Sequence, residues 1–167
     1  MHKILTATLA SAALAAGIAQ AATTGTSFQV TATVQSTCSA TAATLAFPNY
    51  TPGGGAQTGN TTISVKCTKN TPFTVALNAG STTGDAFAQR LMGGSGTNTL
   101  QYNLFTTVAL AQVFGDGSGG TGTVTGTGSG VATANAIQVF GQVPDSATNQ
   151  AAVPGNYTDT ITVTVTY

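Results

Sequence analysis

Tyr157-Thr158-Asp159-Thr160-Ile161-Thr162-Val163-Thr164-Val165-Thr166-Tyr167 is the last stretch of the chain. From Ile161 on, apolar residues take every odd position with threonine between them, the period-2 mark of a strand with one buried face. Threonine, isoleucine and valine also favour the pleated, half-buried surface of a sheet. The same alternation recurs upstream in Phe28-Gln29-Val30-Thr31-Ala32-Thr33-Val34, Ile63–Cys67, Leu100–Leu104 and Ile137–Phe140. Phe73–Leu77 follows Pro72 in the same pattern. Turn clusters separate these runs: Pro52-Gly53-Gly54-Gly55, Gly93-Gly94-Ser95-Gly96 and Pro154-Gly155-Asn156. Short strands with turns at this spacing predict an all-β sandwich or barrel. The glycine-rich span 115–130 fits either a long loop or a Thr/Gly hairpin, and no helix is predicted after residue 21.

The beginning of the chain points to export. Met1-His2-Lys3 is a short basic start, Ile4 to Ala19 is apolar and uncharged, and Ala19-Gln20-Ala21 has the A-x-A cleavage pattern. Residues 1–21 are therefore expected to be a signal peptide, removed in the mature chain. Its removal takes His2 and Lys3 with it and leaves no histidine. The remaining bases are Lys66, Lys69 and Arg90; the acids are Asp85, Asp116, Asp145 and Asp159. Three positive charges against four negative give a net of about −1, with no basic patch to hold a phosphate backbone. Nucleic acid is excluded on that ground. Cys38 and Cys67 are the only cysteines, and in an oxidising compartment their expected state is one disulfide.

Candidate chemistry is thin. Gly115-Asp116-Gly117-Ser118-Gly119-Gly120 approximates the nucleophile region of trypsin-like proteases, but an extra glycine intervenes and no histidine remains as base. Gly117–Gly122 spells G-x-G-x-x-G with no helix pattern behind it to receive a pyrophosphate. The aspartates stand well apart beside turns, where they bond their own backbone, and lack the D-x-D-x-D spacing of a calcium loop. A paired-carboxylate hydrolase or a secreted monomeric carbohydrate-binding module are the other functions such a chain could serve. Neither catalytic residues, nor a metal site, nor a cofactor is expected. Arg90, the only arginine of the chain, is expected at a strand end, paired with an aspartate.

Taken in order, the landmarks resemble the spore coat protein U domain family, which also covers subunits of archaic chaperone–usher pili of the Csu kind. They are Cys38, Phe47 and Tyr50, Cys67, Leu77-Asn78-Ala79-Gly80, Arg90-Leu91-Met92, Leu100-Gln101-Tyr102-Asn103-Leu104 and Gly115-Asp116-Gly117. Phe140-Gly141-Gln142-Val143-Pro144 and Gly155-Asn156-Tyr157-Thr158-Asp159-Thr160 complete the series. Phe114 stands where the family often has tryptophan, and Leu91 interrupts its Arg-Met pair.

The resemblance implies an immunoglobulin-like sandwich that lacks one strand and is completed by a donated one. A periplasmic chaperone fills the groove first; the N-terminal strand of the next subunit then replaces it. On that basis residues 22–37 form an N-terminal extension with the donor strand, and residues 38–167 the β-sandwich domain. Phe28, Val30, Ala32 and Val34 are the expected donor residues, although the same run also reads as the domain's own first strand. The implied partners are identical or related subunits, the chaperone and an outer-membrane usher. The implied product is a pilus or coat fibre at the cell surface, serving attachment or biofilm.

Overall fold

The computed structural model describes residues 20–167. The expected signal peptide therefore lies outside the described residues except for Gln20 and Ala21. The chain divides into two units, one ending at Thr33 and the other spanning Val34–Tyr167. Residues 20–33 carry no regular secondary structure and are exposed throughout. Among the described residues, Phe28–Val34 forms no strand despite its alternation.

The second unit is nearly all β. Its strands are β1 (Cys38–Ala42), β2 (Gln57–Cys67), β3 (Pro72–Leu77), β4 (Arg90–Gly93), β5 (Thr99–Phe105), β6 (Val124–Thr127), β7 (Asn135–Val143) and β8 (Val163–Thr166). One helical turn, α1 (Ala147–Gln150), precedes β8. The strands form two antiparallel sheets, ordered β1-β2-β7-β5-β4 and β6-β3-β8. Alternate residues of β2, β3, β5 and β7 supply the core: Ile63, Val65 and Cys67; Phe73, Val75 and Leu77; Leu100, Tyr102 and Leu104; Ile137, Val139 and Val143. These are the runs whose alternation the sequence displays.

Where the structure departs from the pattern, local chemistry accounts for it. β2 begins at Gln57, well before the apolar run, because its polar first half pairs with β7 from Gln57↔Val143 onward. The glycine-rich span resolves into turns followed by β6, which pairs with β3. The unforeseen turn α1 is capped by Ser146, whose Oγ accepts from the Asn149 backbone N–H at 3.2 Å. Its Asn149 is fully buried and stands in for a strand: Oδ1 accepts from the Gln101 N–H at 2.8 Å and Nδ2 donates to the Gln101 carbonyl at 2.9 Å.

The final run is divided between the two sheets. Thr158 exchanges backbone hydrogen bonds with Gly93, the last residue of β4, at 2.8 and 2.9 Å. Only from Val163 does the chain join β3. In between, side chains take up the N–H groups: that of Thr160 donates to Ser81 Oγ at 3.2 Å and that of Thr162 to Asn78 Oδ1 at 2.8 Å, while the Thr162 carbonyl accepts from the Asn78 N–H at 3.1 Å.

Candidate functional site

Of the four strands that end the two sheets, β1 and β8 matter here. β1 ends the five-stranded sheet, β8 ends the three-stranded one, and the two approach each other in space. Between them lies an apolar groove. Its deep part, a cavity of about 360 Å³, has Ile63, Leu77, Tyr102, Leu104 and Val139 as floor. Leu45 and Phe47 form one wall; Tyr157, Ile161 and Val163 form the other. A second cavity of about 700 Å³ shares Leu45, Phe47, Met92, Tyr157 and Thr158 and continues to Pro52 and Ala152. The first wall thus advances from Ala42 to Pro52 while the second recedes from Val163 to Ala152. The walls are antiparallel, so a strand laid between them runs parallel to one and antiparallel to the other.

Each wall is held by a specific device. Leu45 and Phe47 lie over Gly59 and Gly141, which face each other across β2 and β7. A Cβ on Gly141 would stand 2.8 Å from Phe47 Cζ and 3.0 Å from Leu45 Cδ1. The missing side chains are therefore the space the wall occupies. The Phe47 ring also meets Tyr102 edge-on, with centroids 6.2 Å apart. On the opposite wall Tyr157 packs on Gly94, where a Cβ would come within 2.6 Å of its ring, and its hydroxyl donates to the Val153 carbonyl at 2.6 Å.

Along that wall Tyr157, Asp159, Ile161, Val163 and Val165 are half-buried, while the threonines between them are exposed. The backbone groups of Thr158, Thr160 and Thr162 bond toward β4, the Ser81 loop and Asn78. By strand alternation, those of Asp159, Ile161 and Val163 point to the open edge.

A polar network supports the second wall. Asp159 Oδ1 accepts from the Ser81 N–H and Oγ, both at 2.9 Å, and from Thr82 Oγ1 at 3.3 Å. Its Oδ2 accepts the Tyr102 hydroxyl. Burial pushes the Asp159 carboxyl upward, but these hydrogen bonds outweigh it and hold the group below the usual carboxylate range. Burial, then the bond to Asp159, pushes the Tyr102 phenol well above its ordinary range.

Arg90 stands at a strand end, as the first residue of β4, but carbonyl oxygens take the place of the expected aspartate. It is fully buried, and its guanidinium donates to Asn103 Oδ1, the Asn78 carbonyl and the Phe114 carbonyl, each at 2.7 Å. Burial lowers its pKa; Tyr102, Asp85 and Asp159 oppose the shift. With three acceptors already taken, it is a fastener between loops and has no face to offer an anionic ligand.

The remaining predicted residues are placed as follows. Cys38 and Cys67 face each other in register and form a disulfide, their Cα atoms 4.1 Å apart. Phe28, Val30 and Val34 are 87%, 81% and 87% exposed, and Ala32 is exposed between them. Asp116 accepts from the Ser118 N–H and Oγ two residues on, which is turn chemistry; Asp145 instead accepts from the Tyr50 hydroxyl and the Gly53 and Gly55 N–H groups, 90 to 95 residues away, and ties distant loops together. Asp85 and Asp159 do come together around Gly80, where a Cβ would strike both carboxylates. Asp85 is itself bonded by the Thr82 and Leu91 N–H groups at 2.6 Å, so neither carboxylate of this pair is free as a base. Among the described residues no group of three His, Cys, Asp or Glu is placed to hold a metal ion, and no helix is long and apolar enough to cross a membrane.

Comparison with known proteins adds two findings. The family model described as Spore Coat Protein U domain matches residues 24–164. Among solved structures, the chain resembles a chain of the CsuC–CsuE chaperone–tip adhesion subunit pre-assembly complex from archaic chaperone-usher Csu pili of Acinetobacter baumannii. The two are 24% identical with a TM-score of 0.55, over 81% of this chain and 41% of that one. The chain spans about two fifths of the length of that solved chain. The likeness identifies the two sheets as an incomplete immunoglobulin-like sandwich. No curated protein matches.

Proposed function

The chain belongs to the Spore Coat Protein U domain family, and from that premise we propose that it is a structural subunit of a surface pilus or coat fibre, polymerising by donor-strand exchange. One observation carries the reading: a single chain holds both an apolar groove between two sheet-edge strands and an exposed period-2 segment that forms no strand among the described residues. Residues 1–21 are the signal peptide, 22–37 the donor region and 38–167 the acceptor domain. A periplasmic chaperone fills the groove in transit, an outer-membrane usher exports the subunit, and the fibre serves attachment or biofilm. The role is mechanical and involves no catalysis. A monomeric carbohydrate-binding module would have no use for the exposed Phe28, Val30 and Val34. Burying such side chains contributes roughly 1.5–3 kcal/mol each, before the ladder hydrogen bonds.

The test is assembly. Phe28→Asp or Val30→Asp places a carboxylate in the neighbour's groove at a cost of several kcal/mol (about 3 or more). Chaperone-bound monomer is expected at normal yield, because the variant's own groove is intact, and fibres are expected to fail. Thr31→Asp and Thr33→Asp, on the other face, are expected to assemble. Normal fibres from the Phe28 and Val30 variants would refute the donor role.

A further inference from the structure

Resting on that donor–acceptor reading, we infer that the donor strand of a second copy lies antiparallel to the Tyr157–Val163 wall with its Ala32 seated on the Tyr102–Asp159 pair, and that this one polar position sets the register of the joint. The wall presents four half-buried positions to the deep cavity, two residues apart: Tyr157, Asp159, Ile161 and Val163. The donor presents four on one face at the same spacing: Phe28, Val30, Ala32 and Val34. Directly opposite residues of paired strands share a face, so the two sets align in one of two directions. Parallel, Val30 falls on Asp159. Antiparallel, Val34 meets Tyr157, Ala32 meets Asp159, Val30 meets Ile161 and Phe28 meets Val163. Sliding by two residues either way sets Val30 or Val34 on Asp159. Among alignments that keep all four pairs, only the antiparallel one brings the smallest donor side chain to the one polar wall residue; a parallel strand slid by two also sets Ala32 on Asp159, but it carries Phe28 past Tyr157 to Gly155 and puts Ser36 on Val163.

The chemistry of the pair explains why size matters there. Asp159 Oδ1 already takes three donors, while Oδ2 takes only the Tyr102 hydroxyl. Both residues line the groove, and what is left unfilled on the pair is lone pairs on Oδ2 and on the phenol oxygen: acceptors with a negative charge, and no donor. A valine pressed on it strips water from an ionised carboxylate and returns no hydrogen bond. Alanine leaves room for a bridging water, a serine hydroxyl donates directly, and an acidic side chain meets like charge.

Cysteine pairs on the outward face read the register. In the inferred joint Gln29 lies opposite Thr162; in the parallel one it lies opposite Thr158, and in antiparallel joints slid by two it meets Thr160 or Thr164. All five are exposed in the single chain. The full chain carrying Gln29→Cys and Thr162→Cys, assembled with its chaperone and usher and oxidised mildly, is expected to give a covalent ladder on non-reducing gels. A ladder from Gln29→Cys with Thr158→Cys, Thr160→Cys or Thr164→Cys instead overturns the register while leaving strand donation standing. A chain that forms no fibres before substitution removes the donor reading and this inference with it. As a second readout, Ala32→Ser is expected to assemble at the unsubstituted rate and Ala32→Val about tenfold more slowly. Equal tolerance of valine and serine at position 32 overturns the role of the Tyr102–Asp159 pair.

Discussion

Arg90 and Asp159 show how a side chain's role depends on what surrounds it. Neither has an unusual sequence neighbourhood, yet one is sealed among carbonyls and the other gathers four donors from the Ser81 loop and β5. Those partners lie 12 to 78 residues away in sequence, so no local pattern announces them. Asp159 has a pH consequence. Its folded-state pKa lies below the unfolded value of about 3.9, so its contribution to stability is complete above that pH. It is lost as the pH falls through the folded pKa. Asp145, held low first by the Tyr50 hydroxyl, and Asp116, held low by Ser118, act in the same direction. Urea midpoints at pH 7 and pH 3 are expected to fall less with acid in an Asp159→Asn variant than in the parent. An identical acid-induced drop in both would show that Asp159 contributes nothing to acid sensitivity.

At the level of elements, alternation marked β2, β3, β5 and β7 but also Phe28–Val34, which forms no strand among the described residues, and strands were missed where something other than apolar periodicity held them. β1 reads Cys38-Ser39-Ala40-Thr41-Ala42 and has four exposed residues out of five, so the ladder to β2 and the disulfide define it. The first half of β2 is polar and gains its cover from Leu45 and Phe47, lying where Gly59 and Gly141 have no side chains. An isolated glycine in a strand pattern does mark a close approach, but not what approaches. Gly141→Ala is expected to push Phe47 toward the groove and destabilise the domain by roughly 1–3 kcal/mol. Slower uptake of a synthetic peptide spanning residues 22–36 by chaperone-bound subunit should accompany it. Gly155→Ala, with nothing within 4 Å of its added Cβ, is the control. Equal stability and uptake in both variants would mean that the glycine pair does not shape the wall.

For the molecule as a whole, the disulfide carries a testable share of stability. It ties the thinly buried edge strand β1 to β2 across 29 residues, which on the chain-entropy account contributes about 3–4 kcal/mol. Chemical unfolding with and without reductant, with thiol alkylation to confirm reduction, is expected to show a loss of that order; an unchanged midpoint in fully alkylated protein would remove β1's covalent anchor from the account. The sequence by itself determined the all-β class, most core strands and the cysteine pairing, because each rests on local periodicity or on having only two partners to choose from. Only the tertiary structure decided which strand edges stay open, that the last run divides between two sheets, and that Arg90 is buried. Those depend on which distant backbone groups find partners. A chain whose sandwich is left one strand short has no local pattern that records the vacancy.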